Sequence, residues 1–99
     1  MTMQLPIDPD VLARFCTQHQ IRRLSLFGSM LTGSERPGSD IDLLVEFESV
    51  REPGLLGMGQ LETELGSLMG RRVDLRTAQD LSRYFRDEVL RTAEVQYAH

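Results

Sequence analysis

The stretch Asp40-Ile41-Asp42-Leu43-Leu44-Val45-Glu46-Phe47-Glu48 decides how this chain is read. Ile41, Leu43, Val45 and Phe47 recur at every second position, so they share one face of an extended strand. Asp40, Asp42, Glu46 and Glu48 share the other face, interrupted only by Leu44. Upstream, Ile21 to Phe27 reads as a second strand, with Leu24 and Leu26 facing one way. It ends abruptly at Gly28-Ser29. Residues 30–38 hold Gly33, Pro37 and Gly38 and read as a short helical turn followed by a loop.

Outward from these strands the pattern turns helical. Ile7-Asp8-Pro9-Asp10 is a helix start, because Asp8 can accept bonds from the first orphan N–H groups and Pro9 suits the first helical position. Val11, Leu12, Phe15, Cys16 and His19 then form one stripe, and Cys16 and His19 read as packing members of it. Downstream, Arg51-Glu52-Pro53-Gly54 is a loop. A helix follows with Met58, Leu61, Leu65, Leu68 and Met69 at helical spacing and Gly70 as its stop. Gly57, Gly59 and Gly66 weaken this helix, so tertiary packing must hold it. Arg72-Val73-Asp74-Leu75-Arg76 is a short strand. Thr77 with Asp80 resembles a capping box, and a last helix is expected to carry Leu81, Phe85, Val89, Ala93 and Tyr97 on one face. The expected fold is α+β: a small mixed β-sheet flanked by helices, with at least one helical crossover. Residues 1–99 are expected to form one domain.

Composition narrows the chemistry. The 99 residues carry fifteen Asp plus Glu against eleven cations, all of them Arg, for a net charge of −4. An acidic domain with few cations is a poor generic nucleic-acid binder, which needs many phosphate contacts. With no Lys, a Walker-type loop, a Schiff base and a lysine base are excluded. Phosphate chemistry would have to use Arg, backbone N–H groups, hydroxyls or a metal. One cysteine makes no internal disulfide or zinc cluster, so a reducing cytoplasmic setting is expected. Two histidines are too few for a His-based metal site, and the short apolar runs span no membrane. The start, MTMQLPIDPD, does not read as a signal peptide.

Three features carry chemistry. Gly28-Ser29 closes a strand and opens a helical turn, where a sharp bend, exposed N–H groups and a hydroxyl suit a phosphate; an ordinary capped turn has the same sequence. Asp40-x-Asp42 puts two carboxylates on one side of a strand about 6.6–6.8 Å apart. Hard oxygen ligands of this type suit Mg²⁺ bound with substrate phosphates, although a solvated acidic face reads the same way. Asp74 lies between apolar neighbours with Arg72 and Arg76 on its face. It is either an ion-pair partner or the third carboxylate of a two-metal site, where it would assist deprotonation of the attacking hydroxyl.

Gly28-Ser29, ten residues, Asp40-Ile41-Asp42 and then Asp74 on a later strand together resemble the DNA polymerase β-like nucleotidyltransferase superfamily. Within it the chain is most similar to the minimal nucleotidyltransferases, and the likeness runs through SDIDLLVEFE, Leu68-Met69-Gly70-Arg71-Arg72-Val73-Asp74-Leu75 and Val95-Gln96-Tyr97. The resemblance implies that Gly28 and Ser29 hold a nucleotide triphosphate. It implies that Asp40, Asp42 and Asp74 are catalytic and hold two Mg²⁺ ions. It further implies transfer of AMP from ATP to a hydroxyl, with release of pyrophosphate. Such proteins are commonly antitoxins that add AMP to a tyrosine of a HEPN-domain ribonuclease toxin, in a hetero-oligomer. One departure stands out: many relatives have Ala-Arg-Gly where this chain has Leu31-Thr32-Gly33, so the arginine is missing, with Arg36 four residues on. A short domain has little surface to enclose a small acceptor, which favours a protein acceptor. A small-molecule nucleotidyltransferase and an antitoxin that acts by binding alone are the alternatives.

Overall fold

The computed structural model describes residues 5–28, 40–48 and 54–99, without the side chains of Leu55 and Phe85. Helix α1 (Pro9–Gln18) starts as its sequence requires: Asp8 caps it by accepting the Asp10 N–H at 2.8 Å, and Pro9 opens the first turn. Strand β1 (Ile21–Phe27) runs antiparallel to β2 (Ile41–Phe47). Helix α2 (Gly54–Met69) then crosses over to β3 (Val73–Arg76), which lies parallel to β2. A 3₁₀ turn (Ala78–Asp80) carries the expected capping box, in which the Thr77 N–H donates to Asp80 Oδ2 at 3.1 Å. Helix α3 (Arg83–Thr92) follows, and β4 (Glu94–Ala98) returns antiparallel to β1. The sheet order is β3-β2-β1-β4. This is the expected α+β arrangement with one strand more.

That extra strand corrects the reading of the C-terminus. The expected helical stripe ran through Ala93 to Tyr97, but α3 stops at Thr92 and Ala93 is extended (φ −61°, ψ 138°). The competing force is tertiary. The central strand β1 has a second edge to satisfy, and Leu24 and Leu26 take Tyr97 and Glu94 as register partners. As a strand, the segment also brings Tyr97 against the core.

One core forms between the sheet and helices α1 and α2. Leu12, Phe15 and Cys16 of α1 and Leu61, Leu65 and Met69 of α2 join Leu24, Leu26, Ile41, Leu43, Val45, Val73 and Leu75. Leu68, assigned to the same stripe from spacing, is instead 44% exposed. His19 behaves as a packing group: its ring lies 4.7 Å from Phe15, and Nε2 is 3.3 Å from Glu64 on α2. Leu44, the apolar interruption in an acidic face, is buried but lies apart from this core, as does Leu81. The 3₁₀ turn packs against β2, which accounts for an apolar residue at that point of the outer face.

The α2–β3 turn is built by a close approach. Gly70 takes the left-handed φ of 68°, and the Arg71 N–H donates back to the Gly66 carbonyl at 3.1 Å. A Cβ on Gly66 would meet the Arg71 carbonyl oxygen at 2.8 Å, so the glycine that weakens the helix is what lets the chain turn into β3 here.

Candidate active site

The acidic positions converge because of register. In the β2–β3 parallel pair, Asp42 lies opposite Asp74, and Ile41 opposite Val73. Both Asp side chains therefore leave the sheet on the face away from the core, on strands about 4.8 Å apart. Asp40 precedes β2 by one residue, is half-buried, and lines an open groove of about 730 Å³ together with Glu62, Arg72 and Asp74.

Gly28 completes one side. It ends β1 with φ 84°, and its neighbour Phe27 is the register partner of Asp42. A Cβ built on Gly28 would run into the Asp42 carboxylate, with the Asp42 Cγ 3.0 Å away. The glycine is thus needed both for its backbone angle and for the room it leaves beside that carboxylate. Ser29, residues 30–38 with Thr32 and Arg36, and residues 51–53 lie outside the described residues.

Asp74 has a neighbour in the protein already. Arg76 donates to Asp74 Oδ2 from Nε at 3.4 Å and from Nη2 at 3.2 Å. The hydrogen bond and charge of Asp74 hold the Arg76 guanidinium's pKa above its ordinary value, and Asp80 and Asp42 add to the effect. Arg76 is therefore in the field of three carboxylates at once.

Two residues here were not legible as site residues. Glu62 of α2 accepts the Leu75 N–H at 2.8 Å and so covers the free edge of β3 next to Asp74. Asp80 lines a hollow of about 310 Å³ with Asp74 and Arg76. No local spacing signals either one, because both reach the site through the packing of α2 and the 3₁₀ turn on the sheet.

The donor set at the Asp42–Asp74 pair is oxygen only, which fits a hard divalent cation. Among the described residues, no three His, Cys, Asp or Glu groups close around a common point as a preformed metal cage. The pair itself is in place. No helix among the described residues is long and apolar enough to cross a membrane.

Comparison with known proteins agrees with this fold. The model of the nucleotidyltransferase domain family matches residues 9–95. Protein adenylyltransferase MntA of Thermococcus cleftensis is 40% identical over 71 residues, which is 72% of this chain and 70% of that protein. A crystal structure of a toxin–antitoxin with AMP-PNP shares the fold, with TM-score 0.72 at 19% identity over 94% of this chain and 75% of that one. The structure of a tri-AMPylated Shewanella oneidensis HEPN toxin with its MNT antitoxin shares it too, with TM-score 0.64 at 18% identity over 92% and 70% of the two chains. By its family match, its sequence likeness and its fold, the chain belongs to the nucleotidyltransferase domain family, as one of the minimal nucleotidyltransferases.

Proposed function

We propose that this protein is an antitoxin that transfers AMP from ATP to a hydroxyl, a tyrosine, of a cognate HEPN ribonuclease toxin in the cytoplasm. Residues 1–99 would act as one domain. The observation that carries the reading is the register pairing of Asp42 with Asp74 beside the side-chain-free Gly28. The named activity of the Thermococcus relative supports the transfer of AMP to protein. The AMP-PNP and HEPN-toxin structures of proteins with this fold support ATP and a toxin partner.

In this mechanism the acceptor oxygen attacks the α-phosphorus of ATP. A new O–P bond forms, the bond to the pyrophosphate oxygen breaks, and AMP stays on the acceptor. Asp40, Asp42 and Asp74 would hold two Mg²⁺ ions, which when bound neutralise triphosphate charge and stabilise the attacking and leaving oxygens. Asp74, half-exposed at the groove, would draw the proton from the incoming hydroxyl. Gly28, whose missing side chain makes room for the Asp42 carboxylate, would let the triphosphate approach the backbone there, and Ser29, the next residue, would add a hydroxyl donor to it.

The test is incubation with ATP, Mg²⁺ and the presumed toxin, read by intact mass. Mass increments of AMP on the toxin are expected, and Asp40→Ala with Asp42→Ala should abolish them. An unmodified toxin overturns the reading. A second reading, neutralisation by contact alone, draws on Thr32, which stands where many relatives carry an arginine. Full neutralisation by the double Asp variant would select it.

A further inference from the structure

The carboxylate that a metal would need is already bonded to a cation of the chain itself. Arg76 holds Asp74 Oδ2 through two nitrogens. Both residues are partly exposed (side chains 48% and 32%), so the contact is open to competition from solvent ions. Two further carboxylates line the same hollow: Glu62, which accepts the Leu75 N–H, and Asp80, three residues from Thr77, whose charge also acts on Arg76. Asp80 Oδ2 accepts the Thr77 N–H at 3.1 Å, and a carboxylate has a second oxygen with which to accept a guanidinium.

We propose that Arg76 is a resident counter-ion of the active site, which a divalent cation must displace from Asp74, and that Asp80 receives it when it leaves. Resting on the carboxylate reading above, this makes Arg76 a determinant of metal affinity. Without a metal, Arg76 offsets the like charges of Asp42 and Asp74 on adjacent strands. With a metal, the same guanidinium would oppose the bound cation unless it swings away. An exposed ion pair is a weak competitor, so the device tunes cation affinity instead of blocking it.

The experiment is Mn²⁺ binding by the intact protein in the presence of a non-hydrolysable ATP analogue. It is read as a dissociation constant by electron paramagnetic resonance, with thermal melts confirming that each variant folds. Arg76→Gln is expected to tighten Mn²⁺ binding roughly three- to fivefold, the scale of losing an exposed pair. Asp80→Asn keeps an oxygen for the Thr77 cap and is expected to weaken binding by a similar factor, but only while Arg76 is present. In the Arg76→Gln background it should have no effect, a coupling that independent sites would not show. Absent binding by the wild type, or binding that survives Asp42→Asn, overturns the carboxylate reading and this proposal with it. Binding that Asp42→Asn abolishes and Arg76→Gln leaves unchanged or weakens overturns the role of Arg76 alone. An Asp80→Asn effect that persists without Arg76 overturns the role of Asp80.

Discussion

Asp42 of β2 and Asp74 of β3 are register partners on adjacent parallel strands, which sets two carboxylates side by side on the face opposite the core. Such a pair is unfavourable unless cations offset it. Asp42→Asn is expected to lower AMP transfer by more than about 100-fold, because even residues that only support metal ligands typically account for 10–100-fold. Transfer kinetics with the proposed toxin as acceptor check this, and a melting temperature close to the wild type would separate lost chemistry from lost folding.

Gly28→Ala tests the neighbouring contact. The new methyl group would meet the Asp42 carboxylate at a residue whose φ is 84°. Backbone strain of this kind costs about 1–3 kcal/mol. A lowered urea midpoint together with a loss of transfer larger than the stability loss explains is the expected result.

The Glu62 carboxylate accepts the Leu75 N–H on the free edge of β3. Glu62→Ala should cost about 1.5–3 kcal/mol, the range for a hydrogen bond to a charged group. Glu62→Gln keeps an acceptor and should recover most of the loss in urea denaturation. Equal losses in the two variants would show that the charge, not the hydrogen bond, holds the edge.

Cys16 is fully buried, and that burial pushes its thiol up to about 12 from 9.0. The thiol should react with iodoacetamide only on unfolding. The folded state keeps its proton more tightly than the unfolded state. The resulting stability is therefore complete below pH 9 and lost as the pH rises from there toward about 12. Cys16→Ser should flatten that part of the pH–stability curve, measured by urea denaturation.

Tyr97 and Val95 test the final strand. Tyr97 packs against the core, whereas Val95 is 50% exposed. Tyr97→Ala is expected to cost about 2 kcal/mol, less than a fully buried aromatic, and Val95→Ala under about 0.5 kcal/mol. Equal effects would argue against the β4 pairing.

Local chemistry was enough to place most elements. The alternation through Ile41 and Phe47 marked β2, Asp8-Pro9 marked the start of α1, Gly70 the end of α2, and Thr77 with Asp80 a capping box, although that box closes a 3₁₀ turn and the last helix begins only at Arg83, capped by Ser82. Each signal acts within a few residues of itself, so the sequence shows it directly. Glu94–Ala98 did not yield in this way. Its four-residue spacing with Leu81, Phe85 and Val89 fits a helix, and only the open edge of β1, some seventy residues earlier, makes it a strand.

The candidate site divides along the same line. Spacing alone put Asp40 and Asp42 on one face and picked out Asp74, while both the ion-pair and the metal readings of Asp74 stayed open. The parallel register decided that Asp74 stands beside Asp42, and side-chain geometry decided that Arg76 pairs with it. The cover that Glu62 gives the β3 edge, and the place of Asp80 in the same hollow, also belong to the tertiary structure. The sequence by itself determined which side chains could do the chemistry and where most elements begin and end, because those depend on local periodicity and capping. Which carboxylates meet, and which cation stands among them, depends on strand order and register, contacts between residues far apart in the chain that no local pattern encodes.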